Sequence, residues 1–140
     1  MGLLRKFFSN TGKPEGVMGR IVVAMMNCGH AGIAAWGFTH LRFRGDENAL
    51  DCGCGGGANL AQLLRLLPKG RVTGLDYSPI SVENAREVNR AAIDAGRCTV
   101  VQGNVLELPF ESSSFDAVRH LRRCTFGRSS CAASPRFIAC

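Results

Sequence analysis

Residues 49–64 read "ALDCGCGGGANLAQLL", with four glycines in the five positions 53–57. Glycine costs backbone entropy and has no side chain to bury, so a cluster of this kind needs a local reason. The run sits between an apolar strand-like segment and a leucine-rich helical one. At such a junction in a parallel sheet, bare backbone at a helix N-terminus is where a ligand lies. On this reading Gly53 permits the tight turn, Gly55 lets the ligand close on the backbone, and Gly57 permits close helix–strand packing. The spacing Gly53-x-Gly55-x-x-Ala58 also fits the dinucleotide fingerprint.

The rest of the chain supplies the frame that such a loop requires. Leu60, Leu63, Leu64 and Leu67 recur at i, i+3, i+4 and i+7, one face of a helix, which Pro68, Lys69 and Gly70 end. "RVTGLD" at 71–76 predicts a second strand, and Ser78 and Pro79 start a helix running to about residue 95, where Gly96 closes it. "CTVVQ" and "SFDAV" predict a third and a fourth strand. Strand, helix, strand, helix, strand specifies an α/β class: a Rossmann-like parallel sheet with helices on both faces and about four strands. Upstream, the apolar spacing of Val17, Ile21, Val22, Met25 and Met26 predicts a helix that Gly29 stops, followed by a short helix over 31–41. Trp36, Phe38 and His40 there are expected to pack onto the main domain, with a lid over a ligand as the other reading. No internal repeat is visible.

Composition narrows the function classes. The 140 residues suit one domain, and 46% hydrophobic with 20% charged residues describes a soluble globular chain. The net charge of +6 is concentrated in Arg119, Arg122, Arg123, Arg128 and Arg136, leaving a near-neutral body without a basic face, which weighs against nucleic acid as a partner. The seven cysteines are odd in number and irregularly spaced, as in a cytoplasmic chain with reduced thiols. Cys28, His30, Cys52 and Cys54 contain no C-x-x-C pair, so no metal is expected. The apolar run at 21–26 is too short for a signal or a membrane span, and "MGLLRK" has Lys6 where a myristoylation site wants Ser or Thr. The expected location is the cytoplasm.

The acids beside the glycines bear on the ligand. Asp51 stands two residues before Gly53, and Asp76 ends the second strand about 20 residues after the glycines, a spacing that suits a carboxylate accepting ribose hydroxyls. A pyrophosphate wants positive potential at the helix end. S-adenosyl-L-methionine instead carries a sulfonium and an ammonium, which favour nearby carboxylates.

Residues 49–118 resemble the front half of a class I S-adenosylmethionine-dependent methyltransferase. "LDCGCGGG" is similar to that family's first motif, "VTGLDYS" to its second, and "VVQGNVLELPFESSSFDAV" to the segment through its third and fourth strands. The resemblance implies that Gly53, Gly55 and Gly57 face the methionine part of the cofactor, and that Asp51 helps place its amino group. It implies that Asp76 binds the ribose hydroxyls and Tyr77 flanks the adenine. Asn104, where the family often has Asp, would accept from the adenine amino group, and Val105 would offer its backbone N–H. It further implies methylation of a small-molecule acceptor. "MNCGHAGIAAWGFTHL" is similar to a helical cap that precedes this domain in some bacterial members. Three segments follow: a cap over 1–44, a partial cofactor domain over 45–118, and an irregular basic tail over 119–140.

Past Val118 the similarity stops. "RHLRRCTFGRSSCAASPRFIAC" shows no strand or helix period and no acid. It reads as the product of a shifted reading frame or a truncated gene, with a nucleic-acid arm as the other reading. In the family's order the strands would lie 3-2-1-4, leaving the fourth as an open edge, and the part that binds the acceptor would be lacking. No side chain stands out as a general base; His30, His40 and His120 are the available imidazoles. A nicotinamide-dinucleotide oxidoreductase and a non-enzymatic basic interaction protein are the alternative readings, and the oligomeric state is not written in the sequence.

Overall fold

Strands buried on both faces need continuous apolar runs, and parallel neighbours need crossovers that are usually helical. The chain follows that logic. The computed structural model describes residues 16–40, 42–120 and 137–139. In chain order the elements are α1 (Gly16–Thr39), β1 (Asn48–Cys52), α2 (Ala58–Leu66), β2 (Arg71–Asp76), α3 (Pro79–Val88), α4 (Arg90–Asp94), β3 (Cys98–Gln102), β4 (Ala117–His120) and β5 (Phe137–Ala139). They form one parallel sheet in the order β3-β2-β1-β4-β5. The chain winds one way from β1 to β3 and the other way from β1 to β5. The C-terminal end of β1 is therefore the switch point of the sheet, the place where ligands bind in open α/β sheets.

Apolar residues line both faces. On one, Leu60, Leu63, Leu64 and Leu67 pack with Val82 and Ala85 of α3, Phe38 of α1, and Ala49, Val72 and Val100 of the strands. The leucine face read from the sequence is the face that is buried. On the other, Leu50, Cys52 and Leu75 are covered by Val105, Leu108, Phe110 and Phe115 of the β3–β4 connection, together with Val101 and Val118.

Several local expectations are corrected. Gly29 does not stop a helix: α1 is one continuous element of 24 residues. An interior glycine costs only about 1 kcal/mol, and no proline follows to break the turn. Phe38 packs into the core at 6% exposure, whereas Trp36 points outward at 66%, its ring tilted against that of His40. The helix expected to run to about residue 95 is split at Asn89, whose side-chain amide bonds the Ala85 carbonyl oxygen and whose backbone leaves the helical region. The fourth strand starts at Ala117, after Asp116 ties its own backbone N–H and Oδ2 to Asn48.

Two further corrections concern the last segment. Arg119 and His120 belong to β4, not to a tail. Phe137–Ala139 then pairs in parallel with β4, so β4 is not the edge of the sheet. Unpaired strand edges recruit any compatible backbone, and the apolar triplet "FIA" was masked by the Arg, Ser and Cys around it.

Candidate functional site

The glycine loop continues the sheet before it turns. The backbone N–H groups of Gly53 and Cys54 both donate to the Leu75 carbonyl oxygen, at 2.7 and 3.1 Å. Gly55 has φ +54°, and a Cβ built there would meet nothing within 4 Å, so its outer side is open. Gly53 is open in the same way. Gly57 is different. It has φ +85°, and an added Cβ would lie 2.7 Å from the Ala85 Cα and 2.7 Å from the Asn89 amide nitrogen. Its role is to let the start of α2 approach α3, a helix–helix contact rather than the expected helix–strand one.

Asp76 binds the loop to the end of β2. Its Oδ2 accepts the Gly55 N–H at 2.8 Å and its Oδ1 accepts the Ser78 N–H at 3.0 Å. Each carboxylate oxygen keeps a further lone pair. Ser78 also caps α3, its hydroxyl accepting from the Ser81 N–H.

Asp51 lies beneath the loop with no exposed surface. Its Oδ1 accepts from Arg119 Nη1 at 3.0 Å, and its Oδ2 is a buried oxygen without a hydrogen-bond partner among the described residues. The two residues are register partners on adjacent strands, and the guanidinium carbon stands 5.0 Å from the centre of the Phe38 ring. Burial pushes the Asp51 carboxyl up to about 6; Arg119 pulls against that rise and Asp76 adds to it. Arg119 was not singled out from the sequence, where it counted with the basic tail. The available signal was a lone charge inside the strand "AVRH", opposite Asp51 in a 3-2-1-4 sheet.

The remaining predicted residues gather at the same end of the sheet. Gly103, just after β3, donates its N–H to the Asp76 carbonyl oxygen, which brings the Asn104–Val105 segment beside β2. Tyr77 is half exposed and its carbonyl oxygen accepts from Gln102 Nε2. Asn104 is exposed and turns its Oδ1 to the Leu106 N–H at 3.0 Å. Val105 is partly buried against the Leu50–Cys52–Leu75 cluster. Of the three histidines, His40 lies exposed beside Trp36, its Nδ1 3.0 Å from the Trp36 carbonyl oxygen; the side chains of His30 and His120 lie outside the described residues. Among the described residues no three His, Cys, Asp or Glu side chains gather as a metal site, and no helix is long and apolar enough to cross a membrane.

The profile of the family described as "Methyltransferase domain" matches residues 49–130, extending past Val118. Cycloartenol-C-24-methyltransferase 1 of Oryza sativa is 35% identical over 69 residues, which cover 49% of this chain and 20% of that protein. Demethylmenaquinone methyltransferase of Listeria welshimeri is 35% identical over 79 residues, covering 56% of this chain and 33% of that protein. The chain thus spans between a fifth and a third of these relatives' length. A crystal structure of geranyl diphosphate C-methyltransferase from Streptomyces coelicolor A3(2), in complex with Mg2+, geranyl diphosphate and S-adenosyl-L-homocysteine, superposes with a TM-score of 0.62 at 21% identity. That match covers 84% of this chain and 45% of that one.

Proposed function

The chain belongs to the methyltransferase domain family, and on that premise we propose that it carries the S-adenosyl-L-methionine-binding front of an enzyme that methylates a small molecule. The observation that carries this reading is the pair of buried carboxylates, Asp51 and Asp76, on either side of a glycine loop whose outer face is open.

The residues suit this cofactor. The partnerless Asp51 Oδ2 needs a donor, and an ammonium group is one. A pyrophosphate would instead meet a buried carboxylate of its own sign. The open backbone at Gly53 and Gly55 leaves room for the methionine part, with Gly57 setting the loop against α3. Asp76, already fixed by two backbone N–H groups, offers its remaining lone pairs to the ribose hydroxyls. Tyr77 would flank the adenine, Asn104 would accept from its amino group through the second lone pair of Oδ1, and Val105 would present its N–H to the ring. The bound cofactor supplies a methyl group on an electrophilic sulfonium. What this chain contributes is orientation, since in-line displacement depends chiefly on holding the two reacting centres in place.

The names of the relatives and of the structural neighbour, which mention cycloartenol, demethylmenaquinone and geranyl diphosphate, support a small-molecule acceptor. The near-neutral body supports a site without nucleic acid, and the cytoplasm remains the proposed location. We assign the cap to residues 1–44 and the cofactor unit to residue 45 through the end of β4.

Calorimetry on the full chain tests the reading. S-adenosylhomocysteine should bind more tightly than NAD. Asp76→Asn, which keeps one acceptor oxygen but loses the charge, should weaken that binding about tenfold, the worth of one charge-assisted hydrogen bond. Tighter binding of NAD would overturn the proposal.

A further inference from the structure

We propose that Arg119 is a positioning residue for the cofactor's amino group: it holds Asp51 through Oδ1 and thereby keeps Oδ2 available as a charged acceptor. The inference rests on the methyltransferase reading and assigns to it a residue just past the motifs quoted from the sequence, which end at Val118.

Three observations converge on it. Arg119 and Asp51 are register partners on β4 and β1, so the backbone itself sets the side chains on one face of the sheet. The guanidinium is buried, with its side chain 7% exposed, lies against the Phe38 ring and contacts Oδ1 at 3.0 Å. The other oxygen, Oδ2, is left without a partner. A guanidinium that merely competed with the ligand would occupy the oxygen the ligand needs. Here it occupies the other one.

The chemistry gives the pairing a direction. A carboxylate taken wholly out of water tends to take up a proton, and a protonated Asp51 would lose its charge attraction for an ammonium. The groups that face Asp51 among the described residues are Arg119 from β4, Asp76 from the end of β2 and the Cys54 thiol in the glycine loop; α1 contributes the uncharged Phe38. Asp76 pushes the Asp51 carboxyl upward, and Arg119 is the group that pulls it down. With Arg119 present it titrates at about 6; without Arg119 it rises further and is neutral over more of the physiological range.

Two ligands separate this role from plain scaffolding. S-adenosylhomocysteine carries the amino acid end; methylthioadenosine has the same nucleoside and thioether but lacks it. In the wild-type chain, S-adenosylhomocysteine binding should fall as pH drops through about 6, whereas methylthioadenosine binding should not share that limb. Arg119→Met should weaken S-adenosylhomocysteine binding at neutral pH by about tenfold and move the acid limb upward, leaving methylthioadenosine unchanged. Arg119→Lys should restore most of the loss. Equal losses for both ligands, or an unchanged pH profile in Arg119→Met, would overturn the assignment. Should Arg119→Met not fold, Arg119→Gln, which keeps a donor but loses the charge, decides: the acid limb must move upward, and an unmoved limb refutes the role. Failure of the wild-type chain to bind either ligand would instead overturn the cofactor reading itself, and this assignment with it.

Discussion

Asn89 donates its side-chain amide to the carbonyl oxygens of Gly57, at 3.0 Å, and of Ala85, at 2.9 Å. The residue that interrupts the helix after β2 thus also anchors the glycine loop, from 32 positions away. Asn89→Leu keeps the branched shape of the side chain but strips the Gly57 carbonyl of this donor. A buried acceptor left without a partner costs about 1–3 kcal/mol. The urea midpoint should fall accordingly, and an unshifted midpoint would mean that the bond is not structural.

Gly55 and Gly57 should respond to the same substitution by different amounts and for different reasons. Gly57→Ala forces a methyl group against the Ala85 backbone at φ +85°. Overpacking and left-handed strain together should remove roughly 2–5 kcal/mol of stability. Gly55→Ala incurs only the strain of about 1–2 kcal/mol, because its Cβ meets nothing within 4 Å. Its methyl group would nevertheless stand on the open side of the loop. Thermal unfolding should therefore show the larger loss for Gly57→Ala. Calorimetry of the still-folded Gly55→Ala chain should show weakened S-adenosylhomocysteine binding.

Glu47 controls how the chain enters β1, and it makes stability depend on pH. Its Oε1 accepts the Arg44 N–H at 2.7 Å and its Oε2 the Gly45 N–H at 2.9 Å. Burial acts to raise its carboxyl, but backbone N–H groups of Arg44, Glu47 and Gly45 and the Arg44 charge outweigh that and hold it below the usual range. A carboxyl lowered on folding adds stability above its unfolded value, and that stability is lost as pH falls through the folded one. Glu47→Gln should thus cost about 1–2 kcal/mol at neutral pH and less in acid. Asp51, raised on folding, runs the other way, adding stability in acid that is lost as pH rises through about 6. The Glu47 effect is therefore read as the difference between variant and parent unfolding at each pH. A difference that does not shrink in acid would exclude the ionised form of Glu47 as its source.

The buried thiols should be chemically quiet. Burial pushes the Cys98 thiol up to about 11, and burial with the Asp51 and Asp76 charges pushes Cys54 higher still. Cys28 is exposed. The thiolate is the reactive form, so iodoacetamide should alkylate Cys28 in the native chain well before Cys54 or Cys98. Peptide mapping by mass spectrometry reads the order. Early labelling of Cys54 would show that the glycine loop opens.

Local chemistry determined a good part of this protein. The leucine period placed the buried face of α2, the glycine cluster placed the turn at the end of β1, and Ser78 with Pro79 placed the start of α3. These are short-range signals: helical periodicity, turn geometry and capping act between neighbours in the chain, so they can be read from it. The two acids flanking the loop were legible for the same reason, since strand ends and the spacing between them follow from local pattern. The tertiary structure decided the rest. Whether Phe38 or Trp36 faces inward depends on how α1 lies against its neighbours, not on the shared apolar character of the two side chains. The break at Asn89 depends on the Gly57 carbonyl being within reach. The Asp51–Arg119 pair joins positions 68 apart. It exists because β4 settles beside β1 in one register, and a slip of one residue would carry Arg119 to the opposite face of the sheet.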